Sequence, residues 1–531
     1  MSSGADRLRA ALASVAADLG APDVEFSVER PREDAHGDFA TNLAMQLARP
    51  LRKKPRDIAT DIVAKLDLPE LIEKTDIAGP GFINFFLKDT ALASIVPVIL
   101  EAGPAFGTSD IGKGTRINIE FVSANPTGPL HVGHGRGAAL GDAVASVLEA
   151  TGHKVTREFY VNDAGVQITK LVSSLEARMR GEPVPEGGYQ GEYLIDLAEA
   201  AQREKPVDLR AWALARELDE QQKDLLEFGV VFDEWSRETT IYDRALIDAT
   251  LEDLAAKGLT FEEDGALWLA TSRFGDDKDR VIRKQDGTYT YFLPDLAYHR
   301  DKHERGFQRA IDVWGADHHG YVARMRAALA GLGYGEGFFD VVIVQLVKVM
   351  RGGEEVRFSK RAGDYMTLRD LFEQAGVDAT RYFFLQRKGD SQFVFDVDLA
   401  RRQTDENPVY YVQYAHTRLA GIFRTADRDP ASVHAAFGDP SVLTEPTEQE
   451  LCKRLAEYPA IVARAAETLE PHRVIAYLED IARLVNGWYH HCRVVGEPEP
   501  VERARLMLAR AARLVLANGL TLMGISAPER M

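Results

Sequence analysis

The residues best suited to chemistry lie in the run Ala124-Asn125-Pro126-Thr127-Gly128-Pro129-Leu130-His131-Val132-Gly133-His134. Two histidines stand three apart with a glycine between them. They fall where an alternating run (Ile117, Ile119, Phe121) gives way to a helical pattern with Leu140, Val144, Val147 and Leu148 on one face. A helix N-terminus offers unpaired N–H groups and the positive end of its dipole, which suits a triphosphate. Imidazole N–H donors there can follow charge onto phosphate oxygens in a transition state. Gly133 leaves room for a nucleotide to approach the backbone. A solvent-facing histidine pair and a zinc site are the competing readings, although third and fourth zinc ligands are not evident.

A second reactive stretch is Arg357-Phe358-Ser359-Lys360-Arg361-Ala362-Gly363. A lysine on a glycine-flanked loop can close on β- and γ-phosphates and stabilise departing pyrophosphate. A basic loop alone is equally well a solvated surface. This one gains weight from its predicted place after a strand, across a sheet from His131 and His134.

The elements that must position these groups read as a β-loop-α-β unit. Gly152 stands at a helix C-terminus and residues 154–161 form the next strand, as in a parallel, doubly wound nucleotide-binding sheet. Further strand-like runs lie at 311–314 and 341–347. Residues 167–250 read as a charged helical insertion, and 280–293 as a hairpin around Asp286-Gly287. Before this unit, a helix to Leu19, a helix from Ala40 to Ala48, the basic Arg52-Lys53-Lys54-Pro55-Arg56, a helix from Asp57 to Leu66 and a strand Phe82–Leu87 suggest a separate α+β module. Gly103 to Gly114 reads as a linker. From Asn407 onward the chain is helical and Leu/Ala-rich, a bundle. The expected domains are 1–105, 115–385 and 400–531: α+β, Rossmann-type α/β with a doubly wound parallel sheet, and all-α.

At 531 residues the chain is too long for one core. No apolar run approaches the length of a membrane helix, and the N-terminus lacks the features of a signal peptide, so a cytoplasmic protein is expected. The two cysteines, Cys452 and Cys492, make no CxxC pair, and His490-His491-Cys492 is taken as structural. A net charge of −18 argues, alone, against a nucleic-acid partner, but it does not describe local patches. Asn407 to Arg424 interleaves Tyr410, Tyr411, Tyr414, His416, Arg418 and Arg424. Aromatics beside cations can stack on splayed bases and meet phosphates, or the tyrosines can pack inward on an amphipathic helix.

His131–His134 resembles the HIGH motif of class I aminoacyl-tRNA synthetases, and Phe358-Ser359-Lys360 resembles their KMSKS loop. Within that class the chain is similar to the arginyl-tRNA synthetase family, bacterial type. The resemblance is carried by Glu120-Phe121-Val122-Ser123-Ala124-Asn125-Pro126, Asn162-Asp163-Ala164-Gly165, Trp314-Gly315-Ala316-Asp317-His318-His319-Gly320, Asn407 to His416, and Gly524 to Met531. It implies an N-terminal domain on the tRNA elbow, a catalytic domain, and an anticodon-binding bundle. His131, His134 and Lys360 would be catalytic; Pro129, Gly133, Phe358 and Ser359 would bind ATP. Asp295 and Tyr291 would meet the guanidinium of arginine; Ser123, Asn125 and His319 would hold its α-amino and carboxyl groups, with Glu120 in support. Tyr410, Tyr414 and Arg418 would touch tRNA(Arg).

Tyr291 and Asp295 are four apart, so a helical turn from Pro294 could unite them. Yet Tyr291 could be core, Asp295 a helix cap, and His319 an ordinary hydrogen-bonded group. The resemblance further implies ATP with Mg2+, no zinc, L-arginine as substrate, a tRNA-dependent first step and a monomer. Polar readout of a guanidinium, worth roughly 10⁴-fold against analogues that leave the site unpaired, would make an editing domain unnecessary. Two departures stand out: Arg357 replaces the first KMSKS lysine, and Gly128 stands where many relatives carry a lysine. The two features compensate, because such relatives tend to lack the loop lysine retained here as Lys360. A cysteinyl-type synthetase and a silent tRNA-binding paralogue are the alternatives.

Overall fold

Five parallel strands lie side by side in the order Phe339–Val344, Arg309–Gly315, Arg116–Glu120, Lys154–Val161, Glu234–Arg237. The computed structural model describes residues 4–31, 33, 36–356 and 366–531, so Arg357, Phe358, Ser359, Lys360 and Gly363 lie outside the described residues. Ile117, Ile119 and Ile311 are fully buried, as expected of strands covered by helices on both faces. The chain starts at the central strand, adds two strands on one side and then two on the other. The order therefore reverses between Arg116–Glu120 and Arg309–Gly315, where the carboxyl ends of the strands open a crevice. Glu120 and Gly315 sit at its mouth.

The helix Val132–Ala150 fills the middle of the molecule and is buried on almost every face, not along one stripe only. Small residues permit this: a Cβ on Gly141 would come within 2.2 Å of the Phe121 ring. At its far end Gly152, with φ +86°, ends the helix as predicted.

The stretch 167–250 is not only an insertion. Helices Gly165–Met179, Glu192–Glu204 and Leu209–Glu227 form a lobe whose apolar cluster includes Leu171, Leu194 and Ala213, but Glu234–Arg237 is the edge strand of the main sheet. Four residues, two of them charged, gave no periodic signal. The predicted hairpin is also modified. The turn at Gly287 exists, with Lys284 N donating to Thr288 O at 2.8 Å, but its return arm is the single bridge Arg283–Tyr289. The helix Phe292–Glu304 begins there instead, and Arg280–Arg283 pairs with Ala266–Leu269.

In the N-terminal module the expected helix from Ala40 starts later. Phe39–Thr41 pairs with Phe82–Leu87, and the helix is Leu43–Leu51. The module is keyed to the C-terminal bundle by Arg30–Glu457 (2.7 Å) and Lys453–Asp38 (2.6 Å). Gly103–Gly114 is a packed joint, since Asn518 Nδ2 donates to the carbonyls of Gly103 (3.0 Å) and Phe106 (3.1 Å).

The bundle helices Pro408–Thr425, Pro446–Ala456, Tyr458–Thr468, His472–His491 and Glu499–Leu522 share one apolar core with Val132–Ala150. Two fully buried guanidiniums lock this junction. Arg136 donates to the carbonyls of Gln345, Lys388 and Ser391. Arg381 pairs with Asp142 at 2.6 Å and donates to Met523 O and Phe228 O. Breaking a buried pair leaves an uncompensated charge, at a cost of about 3–5 kcal/mol. Arg157 still faces Asp142 at 3.1 Å, which places Arg381→Met near the lower end. The expected outcome is a lowered urea midpoint; an unchanged midpoint would show that Arg381 does not hold the junction.

Candidate active site

His131 is the N-cap of Val132–Ala150, an unusual residue in that role. His134 N donates to His131 Nδ1 and His131 N donates to His134 Nδ1, both at 3.2 Å, and the rings stack at 3.5 Å between centroids. This reciprocal cap uses both Nδ1 atoms as acceptors. The tautomer that satisfies it carries hydrogen on Nε2 of each ring. A Cβ on Gly133 would stand 3.0 Å from His131 Cε1, so the glycine gives that ring its place.

The loop before this helix is strained. Val122 has φ +66° and Ser123 has φ +42°, a region that a β-branched residue rarely enters. Such residues cost of order 1–3 kcal/mol each and persist only where neighbours hold them. Here Ser123 N donates to Phe121 O (2.9 Å), Ser123 Oγ donates to Glu120 (2.9 Å), and Tyr160 N donates to Ser123 Oγ (3.1 Å). Gln221, from the lobe, donates to the carbonyls of Asn125 (3.1 Å) and Gly128 (2.9 Å). Asn125 itself donates to Gln167 Oε1 at 2.6 Å.

Behind the loop lies a buried charge ladder. Asp295, His299 and Lys302 follow one face of Phe292–Glu304. Lys302, fully buried, reaches Glu120 (2.6 Å) on the central strand and Asp312 (3.0 Å) on its neighbour. His299 Nε2 meets Asp312 at 2.7 Å, and its Nδ1 faces Asp295 O at 2.7 Å. Burial raises Glu120, with Lys302 pulling it back. Burial would likewise raise Asp312, but Lys302 and His299 hold it down to about 2. Burial lowers Lys302, yet the two carboxylates outweigh this and raise it.

Asp295 is neither a helix cap nor paired to a cation among the described residues. Its carboxylate accepts from Tyr321 Oη at 2.8 Å, and burial raises its pKa. Glu238 is raised by burial and then by the charges of Asp295 and Asp163; it too lacks a cationic partner among the described residues. Burial first, and then the charges of Glu238, Asp295 and Glu120, raise the Tyr160 hydroxyl and hold it neutral. Buried carboxylates without a cationic partner suit a cationic ligand.

A cavity of about 410 Å³ joins Ser123, Asn125, Pro129 and His134. Of the expected site residues it brings together these four; Asp295, Tyr291 and His319 are not among its lining. Tyr291 does not lie in an apolar strand: it precedes Phe292–Glu304, is 85% exposed, and accepts from Asp295 N at 3.4 Å. His319 opens the helix His319–Leu332 and is exposed. Sequence reasoning missed Tyr160, Glu238, Tyr321, His299, Lys302 and Asp312. One signal was available: a charge inside the apolar strand run at Asp312. Among the described residues no cluster of three or more His, Cys, Asp or Glu is arranged to hold a metal ion.

On the bundle, Tyr410 and Tyr414 stack at 5.8 Å, and the Arg418 guanidinium lies 4.8 Å from the Tyr414 ring and 4.9 Å from that of Tyr489. Tyr411 packs against the core. His416 and Arg424 are tied to the C-terminal segment through the carbonyls of Pro528 and Glu529, both at 2.9 Å, and belong to the packing.

Residues 5–87 match the family described as "Arginyl tRNA synthetase N terminal domain", residues 96–189 and 192–416 "tRNA synthetases class I (R), catalytic domain", and residues 412–531 "DALR anticodon binding domain". A relative from Bordetella petrii, "Arginine--tRNA ligase", is 48% identical, covering 99% of this chain and 98% of that protein. One from Halalkalibacterium halodurans, "Arginine--tRNA ligase 1", is 47% identical, covering 98% and 96%. The solved structure of Thermus thermophilus arginyl-tRNA synthetase has the same fold, with a TM-score of 0.79, 24% identity, and coverage of 99% of this chain and 100% of that one.

The ladder predicts a specific acid response. Asp312, held down to about 2 against an ordinary value of about 4, adds stability above pH 4 that is lost as pH falls towards 2. In Lys302→Met the carboxyls of Asp312 and Glu120 lose their ammonium and their pKa values rise. The expected outcome is a variant about 3 kcal/mol less stable at pH 7, whose deficit narrows on acidification towards pH 5. Unfolding midpoints measured across that range check it; a deficit independent of pH would be evidence against it.

Proposed function

This chain belongs to the arginyl-tRNA synthetase family, and we propose that it performs the family's reaction through the residues gathered at the crevice. It is an arginine–tRNA ligase: L-arginine is activated with ATP and transferred to the 3′ end of tRNA(Arg). The observation that supports the proposed site is Asp295, without a cation among the described residues and bonded to Tyr321, together with Glu238; both act on Tyr160, whose backbone N–H donates to Ser123 of the cavity at 3.1 Å.

In this reading the guanidinium lies between Asp295 and Glu238, with Tyr291 beside it and Tyr321 orienting Asp295. Charge-assisted bonds to a planar fork favour arginine over lysine. Ser123 and Asn125, with His319 across the crevice, hold the α-amino and carboxyl groups, and Glu120 fixes Ser123. ATP would enter as its magnesium complex, the ion supplying neutralisation of phosphate charge. It lies along Pro129 and Gly133, with Phe358 and Ser359 of the second loop closing over it.

The α-carboxylate oxygen attacks the α-phosphorus. A new P–O bond forms, the α–β bridge breaks, and pyrophosphate leaves. The Nε2–H groups of His131 and His134, with the ammonium of Lys360, receive the charge that develops on phosphate oxygens. A terminal ribose hydroxyl then attacks the activated carbonyl, its proton is lost, and AMP leaves with the electrons of the broken C–O bond. No side-chain nucleophile is required; positioning and electrostatics suffice.

The proposed domains are 1–105 on the tRNA elbow, 115–385 for chemistry, and 400–531 for the anticodon, read by Tyr410, Tyr414 and Arg418. A monomer is the proposed working unit, in the cytoplasm with its tRNA. Among the described residues no helix is long and apolar enough to cross a membrane.

Exchange of pyrophosphate into ATP, run over all amino acids with and without tRNA(Arg), tests this reading. Exchange is expected with arginine alone and only with tRNA present; Lys360→Ala should lower turnover by ~10²–10³. Kinetics untouched by that substitution would remove Lys360 from the mechanism. A second outcome follows from the raised pKa of Asp295. The guanidinium binds the carboxylate form and releases its proton, so KM for arginine should fall as pH rises through that pKa. Asp295→Asn should bind arginine weakly at every pH; a variant that keeps the wild-type slope would assign it elsewhere.

A further inference from the structure

The cavity that holds His134, Ser123 and Asn125 has a second wall that the proposed chemistry does not use. It is built from the helix Gly165–Met179 and the turn Gly187–Gly191 of the lobe. Its charged member is Lys170. Among the described residues no carboxylate lies within ion-pair distance of this ammonium, although the chain has a large acidic excess.

The turn is fitted to the lysine. Ser174 Oγ donates to Lys170 O (2.6 Å) and accepts from Tyr189 N (3.0 Å), which pins the turn to the helix one turn beyond Lys170. Gly188 stands where a Cβ would meet Ser174 Oγ at 2.5 Å. Gly187, with φ +72°, puts its own Cβ position 3.5 Å from Lys170 Nζ. Across the floor, Gln167 joins this wall to the loop by accepting from Asn125 at 2.6 Å. An exposed ammonium without a carboxylate partner among the described residues therefore stands on the wall that Gln167 bonds to Asn125.

We propose that Lys170 binds the phosphodiester of the last nucleotide of the tRNA acceptor end, setting the terminal ribose against the activated carbonyl. The inference rests on the proposed placement of the amino acid at Ser123 and Asn125. Two substrates bring phosphates to this crevice. Those of ATP belong to the helix N-terminus at His131 and to the loop of Lys360. The ribose that accepts the acyl group must stand beside the aminoacyl end, and its own 5′ phosphate travels with it. Lys170 faces that end. A cation on phosphate gives orientation without reading the base, which suits a terminus shared by all tRNAs.

The test pairs Lys170→Gln with tRNA(Arg) whose last internucleotide linkage is either native or an uncharged methylphosphonate. Lys170 is exposed, so the substitution leaves the fold intact. On native tRNA the variant should lose about tenfold in kcat/KM, with KM for ATP and arginine unchanged. On the neutral linkage it should lose less than about twofold further, because the partner is already gone. Lys170→Arg should retain most activity, and the salt dependence of tRNA binding should weaken by about 0.7 of a log unit per log unit of salt in Lys170→Gln.

Losses that simply multiply overturn the inference, as does a defect confined to KM for ATP. His134→Ala separates the two levels. If it leaves arginylation unchanged, the placement of the site fails; if it abolishes arginylation while the Lys170 losses multiply, only this inference fails.

Discussion

One buried ammonium sets the form of the crevice. Lys302 has no access to solvent and spans the reversal point of the sheet, bonding Glu120 on the central strand and Asp312 on its neighbour. A charge in that place survives only if it is paired and saturated with hydrogen bonds. Both conditions are met, and they fix where the carboxyl ends of the two strands stand. Glu120 then holds Ser123, and Ser123 holds a loop that would not otherwise keep Val122 at positive φ. The strained loop delivers Asn125 and Pro129 to the cavity and starts the helix capped by His131. Strain at Val122 and Ser123 is tolerated because a rigid ion ladder stands behind them.

The same ladder accounts for the sign of the site. Lys302 and His299 are matched by Glu120 and Asp312, so the ladder is internally balanced. Asp295 and Glu238 come on top of that balance: Asp295 raises the pKa of Glu238, and both raise that of Tyr160. A site left short of positive charge takes a cation readily and rejects neutral isosteres, because such a ligand would leave buried acids unpaired. At the proposed site, specificity would then come from charge withheld from the fold.

What could be read in the sequence was local. The two histidines, the glycine between them and Gly152 mark both ends of one helix, and the alternation of Ile117 and Ile119 marks the strand before it. These features depend on neighbours in the chain. Glu238 and Tyr321 were not legible, because their meaning arises only when a four-residue edge strand and a distant helix are folded against Asp295. Tyr291 misled for a related reason: an aromatic beside Phe292 and Leu293 resembles a strand, whereas Pro294 sits in the first turn of a helix that turns Tyr291 outwards. The spacing of Asp295, His299 and Lys302 was visible as one helical face. Only Asp312 and Glu120, brought from elsewhere in the chain, make it a ladder.

A chain with net charge −18 that handles a polyanion presents an apparent conflict, which the distribution of partners resolves. Many arginines are bound to carboxylates and contribute little outward field: Arg157 to Asp142 and Glu149, Arg369 to Asp224 and Glu227, Arg505 to Glu448. Arg136 is spent on backbone carbonyls. The cations at the proposed tRNA surfaces are different. Arg418 is held by Asn486 and two tyrosine rings, neutral partners that orient it without cancelling its charge. Lys170 likewise has no carboxylate within ion-pair distance among the described residues and stands beside Gly187. Binding strength at a phosphate depends on the local, unneutralised cation and not on the sum over the chain. An acidic remainder then keeps the nucleic acid off every other face, so few cations suffice to set where it lies.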